Sequence, residues 1–241
     1  MTDYRAEFYG RYETAVGARQ VDQAHYDHCA RQFGGRWGAW LPPDKNIHVL
    51  DIGCGYGEFL YFLRSLGYRN IVGLDLCKGE LNVGRSMGLP NLIEANAMEY
   101  LQDEKDAFDV ICAFNFFEHL RKDEILHVLH LIHQSLKPGG RLLAVTPNGL
   151  SPFGGATRYW DFSHETGFTP ASWRQLARIV GFVDIVFEEY GPIAHSLSGR
   201  IRTILWSLVR LGLKLVAYIE VGGPRDISCV YTADMKVIAF K

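Results

Sequence analysis

From residue 47 onward, short apolar runs alternate with amphipathic segments along the chain. The runs favour strands, and the segments between them repeat apolar positions at helical spacing. Strands are predicted at 47–52, 70–75, 91–94, 109–114, 140–146, 182–188 and 227–240, and helices at 57–67, 78–87, 98–102 and 122–136. Because most of these strands are apolar throughout, they predict an α/β fold with a mostly parallel sheet and helices on both faces.

The first strand ends at a glycine-rich turn. The apolar run stops at Gly53, and Gly55 and Gly57 follow at alternate positions before a helix begins. Glycine is needed where a chain turns with positive φ and where a backbone approaches a ligand closely. Asp75 ends the second strand, about twenty residues further on, where an acid can accept hydrogen bonds from a ribose. Together these features predict a nucleoside-bearing cofactor.

The spacing of this turn distinguishes between cofactors. A dinucleotide fingerprint would place its third glycine at position 58, which is Glu58, so a nicotinamide cofactor is the poorer match. Asp51 places a carboxylate beside the turn, which suits a ligand that carries an ammonium group. With Asp51, Gly53, Gly55 and Gly57, the sequence resembles the D-x-G-x-G-x-G motif of class I S-adenosylmethionine-dependent methyltransferases.

This resemblance implies a Rossmann-like, seven-stranded fold with an antiparallel last strand and S-adenosylmethionine as the cofactor. It places the cofactor against residues at the ends of the first four strands: Asp51, Gly53, Gly55, Gly57, Asp75, Leu76, Asn96, Ala97, Met98, Phe114 and Asn115. In the resembled family an acid usually stands where Asn96 does, and an asparagine carbonyl can still accept from the adenine amine. The E-H-L run at 118–120 and the K-P-G-G turn at 137–140 also match segments of the resembled family. The turn is expected to end the preceding helix.

The longest stretch without a repeating pattern, 149–167, follows the fifth strand. Long irregular loops in a compact domain are usually functional. Its residue types hydrogen-bond hydroxyls and stack on sugar rings, and the substrate candidates are Asn148, Arg158, Tyr159 and Asp161. A histidine shortly before F-T-P resembles methyltransferases of bacterial polysaccharide pathways. His164 in this loop is the preferred general base, and His119 in the E-H-L run is the second candidate.

Composition narrows the function classes. A chain of 241 residues fits one methyltransferase-like domain, predicted at 44–241, preceded by an N-terminal helical cap at 1–43. A net charge of −2 gives no general basic surface for nucleic acid. Five scattered cysteines and an N-terminus without an apolar segment are typical of a cytoplasmic protein. Histidines of the 122–136 helix are too widely spread for a metal site, so no metal is expected.

Residues 198–219 predict an amphipathic helix with a basic side. Arg202, Arg210 and Lys214 interrupt an apolar stretch that would otherwise be long enough for a membrane span. Two interpretations stay open. In the first, the apolar face packs against the protein or a homodimer partner; in the second, it lies on the inner membrane surface and reaches a lipid-linked acceptor.

The sequence as a whole predicts O-methylation of a sugar or glycan intermediate, with a histidine base and no metal. Methylation of nitrogen or carbon in another small molecule is an alternative, because the pocket residues do not fix the atom that is methylated. A nicotinamide-dependent enzyme also stays open on the fold alone. A third alternative is a non-catalytic cofactor-binding assembly protein that docks through 198–219.

Overall fold

The computed structural model describes Tyr4, Phe8, 21–222 and 230–241 of the chain. Within these residues a seven-stranded sheet has the order β3-β2-β1-β4-β5-β7-β6, and only β7 runs antiparallel to its neighbours. The strands are β1 (His48–Ile52), β2 (Asn70–Asp75), β3 (Leu92–Glu94), β4 (Phe108–Phe114), β5 (Leu136–Pro147), β6 (Asp184–Glu189) and β7 (Asp234–Phe240). The predicted fold is confirmed. Positions 227–229 of the predicted last strand lie outside the described residues.

Helices cover both faces of the sheet. They are α1 (Gln23–Trp37), α2 (Glu58–Ser65), α3 (Lys78–Ser86), α4 (Ala97–Leu101), α5 (Lys122–Ser135), α6 (Gly154–Arg158), α7 (Pro170–Val180) and α8 (Leu197–Val221). Local chemistry fixes several ends: Thr169 caps α7 by accepting from the Ser172 amide, and Gly181 ends it with a φ of 103°. The predicted helices therefore form close to the expected positions.

The sequence predicted that the K-P-G-G segment at 137–140 ends the preceding helix as a turn. The structure differs at this point. α5 already ends at Ser135, and β5 begins at Leu136, which pairs with Phe108. The register shifts before Arg141 pairs with Val110, so residues 137–140 lie in an irregularity of the strand. A bulge of this kind places extra residues on one strand, and the chain passes from helix to strand without a separate turn.

Hydrophobic side chains form a core layer on each face of the sheet. The layer beneath α1 includes Trp37, which is fully buried and stacks on Phe114 with ring centroids 4.9 Å apart. Phe33 packs edge-on against Phe59 at 5.1 Å. α1 therefore shares a core with the sheet. Of the predicted cap, residues 1–20 other than Tyr4 and Phe8 lie outside the described part of the chain.

The predicted amphipathic helix is α8, and its apolar face is exposed. Trp206 donates to Glu189 Oε2 at 2.9 Å, and Arg210 pairs with the same oxygen at 3.2 Å. The half-buried residues of α8 form one stripe towards the protein: Thr203, Trp206, Arg210, Leu213 and Ala217. Exposed apolar residues occupy the opposite side: Ile201, Ile204, Leu205, Leu208, Leu211, Leu215 and Ile219. None of the helices in the described residues has the length and hydropathy needed to cross a membrane.

Candidate active site

The glycine turn connects β1 to α2. Gly53, Gly55 and Gly57 have φ values of 69°, 54° and 80°, in the left-handed region that favours glycine. The amides of Gly53 and Cys54 donate to the Leu74 carbonyl at 2.8 and 2.9 Å, which fixes the turn to the end of β2. Gly53 is exposed, so a ligand arriving here meets backbone without a Cβ. The turn has the form required of a cofactor cradle.

Carboxylates surround this turn. Asp51 is 3% exposed, and burial raises its pKa well above the usual range, with Glu58 and Asp75 raising it further. The two oxygens of Asp75 accept from the amides of Gly55 and Cys77, each at 2.8 Å. Each carboxylate oxygen has a further lone pair that can accept from a ribose hydroxyl. This concentration of acidic groups fits a ligand that carries positive charge as well as a ribose.

Helix α1 forms one wall of the turn. His25 Nε2 lies 3.0 Å from Glu58 Oε1, and the Tyr26 hydroxyl donates to the Tyr56 carbonyl at 2.6 Å. Tyr56 belongs to the glycine turn and Glu58 is the first residue of α2, so α1 holds both in place. The aromatic residues of the N-terminal segment were the sequence signal for this packing.

The predicted adenine contacts follow β3. Asn96 caps α4, because its Oδ1 accepts from the Met98 amide at 2.9 Å. Ala97 is buried, and Met98 is half-buried against the core. The Asn96 carbonyl oxygen therefore has one lone pair engaged by the cap and one left for a donor such as an adenine amine. The segment lies at the carboxyl edge of the sheet, as expected.

The other predicted cofactor residues follow β2 and β4. Leu76 is 63% exposed beside Asp75. Phe114 lies among the aromatic rings beneath α1, so its side chain belongs to the core and not to an open surface. Asn115 turns the chain with a φ of 51°, and its amide donates to the Val145 carbonyl at 3.0 Å. Of these three residues, Leu76 and Asn115 are exposed at the carboxyl edge of the sheet.

Glu118, His119 and His164 meet beyond the end of β4. The two imidazole rings lie edge to face with centroids 4.8 Å apart. One potential ligand atom of each residue lies within 4.8 Å of the others. Burial raises the pKa of Glu118 to about 8, and burial together with the nearby His164 lowers the pKa of His119 to about 4. The structure thus brings both base candidates together around a buried carboxyl group that the sequence left without a role.

Hydrogen bonds from the loop fix both imidazoles. His119 Nδ1 lies 2.8 Å from Ser163 Oγ, and Ser163 donates its hydroxyl proton to Asp161 Oδ1 at 2.7 Å. Ser163 Oγ therefore accepts from His119. His164 Nδ1 donates to the Arg158 carbonyl at 3.1 Å. In its neutral form, His164 therefore carries its proton on Nδ1 and its lone pair on Nε2, while the His119 ring also hydrogen-bonds the Asn115 backbone.

Most of the predicted substrate residues hold the loop together. The Arg158 guanidinium donates to the carbonyls of His164 and Glu165 at 2.7 and 2.9 Å. Asn148 is fully buried, and its amide donates to the carbonyls of Val230 and Thr232. These polar groups are engaged within the chain because buried donors need partners. Of the four candidates, Tyr159 is the most exposed, at 81%.

A cavity of about 370 Å³ was missed by the sequence analysis. It lies between α1, the β6–α8 connection, α8 and the start of β7. Arg36 donates to Gln32 Oε1 at 2.6 Å and lies over the Tyr190 ring at 4.3 Å, while its Nε has no hydrogen-bond partner among the described residues. The cavity therefore contains an oriented guanidinium group.

Asp234 supplies the opposite charge to this cavity. It begins β7 and pairs with Pro147 at the end of β5, so it lies at the carboxyl edge of the parallel strands. Burial raises the pKa of Asp234, while a hydrogen bond with Thr157 acts in the opposite direction. The charge of Asp234 also raises the pKa of Glu118. The cavity and the Glu118–His119–His164 cluster are therefore electrostatically coupled.

The fold and the cradle define an α/β protein that binds a nucleoside cofactor at its sheet edge. A family model described as a methyltransferase domain matches residues 25–185. A sarcosine/dimethylglycine N-methyltransferase of Halorhodospira halochloris is 30% identical over 67% of this chain and 60% of its own length. A ubiquinone biosynthesis O-methyltransferase of Dinoroseobacter shibae is 32% identical over 53% of each. The chain thus spans just over half the length of these relatives.

A solved S-adenosylmethionine-dependent methyltransferase from Archaeoglobus fulgidus has the same fold, with a TM-score of 0.65 over 99% of this chain and all of its own, at 22% identity. The chain belongs to the S-adenosylmethionine-dependent methyltransferase family. The predicted cofactor and enzyme class are confirmed. The family match favours a methyltransferase over the nicotinamide-dependent alternative.

Proposed function

We propose that this protein transfers a methyl group to a hydroxyl oxygen of a sugar or glycan intermediate. The observation that carries this proposal is the free Nε2 lone pair of His164, held at the carboxyl edge of the sheet by the Nδ1 hydrogen bond to Arg158. A neutral hydroxyl is a poor nucleophile, so its proton must be removed as the new bond forms. His164 is suited to accept that proton.

In this proposal, one group of residues binds the cofactor and another accepts the proton. The glycine turn, Asp51 and Asp75 would hold S-adenosylmethionine, which supplies an electrophilic methyl group on a sulfonium. His164 Nε2 takes the hydroxyl proton as the acceptor oxygen bonds to the methyl carbon and the carbon–sulfur bond breaks, leaving its electron pair on sulfur. His119, fixed by Ser163 and Asp161, forms the neighbouring wall and is the second candidate for the base. Alignment of these groups is the main contribution to rate.

The cavity supports an acceptor that is polar and carries negative charge. Arg36 and Arg202 of α8 both line this space. Guanidinium groups bind phosphate and carboxylate oxygens with fixed geometry. Tyr159 and Trp160 on the adjoining loop are 81% and 79% exposed, and such faces stack on sugar rings. A lipid-linked glycan with a phosphate group has the required combination of features.

The exposed side of helix α8 supports binding of the protein to an anionic membrane surface, where it would meet a lipid-linked acceptor. The exposed apolar face of α8 points away from the stripe that touches the protein. Arg200 and Lys214 flank one edge of this face and Arg202 the other, and Glu220 is the one acidic residue in the helix. Apolar residues bordered by cations are complementary to acidic lipid headgroups.

Vesicle sedimentation tests this surface. The protein should bind vesicles containing phosphatidylglycerol and bind pure phosphatidylcholine weakly, and Leu208→Glu should abolish the binding. Ser207→Glu, on the polar side of the same helix, is the matched control for added negative charge and should reduce binding less. A stable dimer in light scattering that is lost in Leu208→Glu, without vesicle binding by the parent protein, would assign the face to a second copy of the chain.

Methyl transfer to nitrogen is the second candidate, because the relative from Halorhodospira halochloris is named for that reaction. The two candidates are distinguished by His164→Ala. If the acceptor is a hydroxyl, this variant should bind S-adenosylhomocysteine normally in calorimetry and lose at least about a hundredfold in turnover, as expected for a lost general base. His127→Ala, an exposed histidine of α5, is the control. Full turnover by His164→Ala would remove the base role, and turnover of amines alone would overturn the O-methylation proposal.

A further inference from the structure

Glu118 has an unusual environment. Its side chain is 1% exposed, and neither carboxylate oxygen has a hydrogen-bond partner among the described residues. Leaving a buried carboxylate without a partner costs several kcal/mol in general, so native structures usually pair such groups or use them to bind ions. Glu118 is not needed to hold the loop through its side chain, because its backbone carbonyl does this by accepting from the amides of Glu165 and Thr166. The side chain is therefore available to a ligand.

Two imidazoles face the same point. His119 and His164 come from different segments, one after β4 and one in the long loop, and an atom of each lies within 4.8 Å of the other and of a Glu118 oxygen. Ligands around one ion at about 2 Å lie roughly 3–4 Å apart. Side-chain rotations that shorten the distances between these ligand atoms by about 1 Å would bring them into the range expected around one ion.

The hydrogen bonds around the two histidines resemble those that metal-binding histidines usually make. A metal-binding histidine usually donates its other ring N–H to a carboxylate, carbonyl or similar acceptor, which fixes the tautomer and the ring plane. His164 has this arrangement with the Arg158 carbonyl, and His119 has it with Ser163, which is in turn bonded to Asp161. The hydrogen bond to the Arg158 carbonyl leaves the Nε2 lone pair of His164 available to a cation.

We propose that Glu118, His119 and His164 bind a divalent transition-metal cation. Two imidazoles and one carboxylate suit zinc, manganese, iron or cobalt, and leave coordination positions open for an acceptor oxygen. Binding itself does not depend on the proposed function. The cation's role in catalysis does depend on it. A cation held by Glu118, His119 and His164 would lower the pKa of a coordinated hydroxyl, whose proton would pass to water, and His164 would then be a ligand instead of the base.

Isothermal titration of the metal-free full chain with Zn²⁺, and the visible spectrum with Co²⁺, test the site directly and without cofactor or acceptor. We expect one tight equivalent and a Co²⁺ spectrum typical of nitrogen and oxygen ligands. Glu118→Gln and His164→Ala should each weaken binding by at least about a hundredfold. Ser163→Ala, which removes only the hydroxyl behind His119, should weaken it by about tenfold to a hundredfold. His127→Ala should bind as the parent does.

The outcomes separate the two proposals. If no equivalent binds in the parent chain, or if Glu118→Gln and Ser163→Ala bind as the parent does while thermal melts show them folded, the metal site is overturned and His164 stays the proposed base. If the metal binds and the variants lose it, yet hydroxyl acceptors are never methylated, the site stands and the proposed function fails. Methylation that survives complete chelation supports His164 as base in the metal-free protein and overturns only the cation's catalytic role.

Discussion

Replacing Gly53 by alanine tests whether the turn meets the cofactor through bare backbone. Gly53 has a φ of 69°, a conformation that costs other L-residues about 1–2 kcal/mol. An added Cβ would also lie 3.2 Å from the Phe116 ring, which is tighter than an ordinary contact. We expect Gly53→Ala to lower the free energy of unfolding by about 1–2 kcal/mol, or Tm by roughly 2–8 °C for a domain of this size.

The effect on binding should exceed the effect on stability. The exposed backbone of Gly53 is where a ligand would approach, so the Cβ would displace it. We expect the affinity for S-adenosylhomocysteine in calorimetry to fall at least tenfold, which is about 1.4 kcal/mol. Gly67→Ala is the matched control, because Gly67 has a φ of 90°, no atom within 4 Å of its added Cβ, and a position beyond the far end of α2.

The control decides the interpretation. Gly67→Ala should lose stability and keep its affinity for the ligand. Unchanged affinity in Gly53→Ala, or equal losses of affinity in both variants, would refute the cradle, since either result would show that the backbone at Gly53 is not a ligand contact.

Three further perturbations follow from the same structure. Asp75→Ala should weaken binding of S-adenosylhomocysteine in calorimetry, since this carboxylate accepts from the Gly55 amide of the turn and is the predicted acceptor for a ribose hydroxyl; unchanged affinity would contradict the ribose assignment. Trp37→Ala should cost about 3–5 kcal/mol in urea denaturation, because the ring is fully buried; a loss below 1 kcal/mol would show that α1 is not part of the core. Asp51→Asn should be more stable than the parent at neutral pH. The raised pKa of Asp51 makes the parent lose stability as pH rises above about 4, the usual pKa of an aspartate, and the variant lacks that loss; parallel Tm–pH profiles would contradict this.

Strand positions and the glycine turn were predictable because they depend on local pattern. The apolar run ending at Gly53 and the acid at Asp75 each specify a strand end, and parallel strands bring such ends to one edge. The amphipathic pattern at 198–219 likewise predicted the bounds of α8 to within two residues at each end.

The roles of individual polar side chains could not be predicted from the sequence to the same extent. Asn148 and Arg158 have the residue types of sugar ligands, but their donors are engaged by carbonyls of Val230 and His164. A sequence does not show which backbone carbonyls a fold leaves without partners. The 370 Å³ cavity was missed for a related reason: it joins Arg36 to Asp234, and no local pattern relates residues so far apart along the chain.

The reversed direction of β7 has a consequence for the order of folding. Within the described part of the chain, β6 pairs only with β7, and β7 pairs with β5 through contacts such as Arg141 with Phe240. The central strands can assemble from near neighbours, but β6 cannot enter the sheet before β7 has been inserted beside β5. Such distant pairings form slowly because long loops must close first. The 370 Å³ cavity, whose walls include the start of β7 and the segment after β6, is therefore expected to form last, after the glycine turn between β1 and α2.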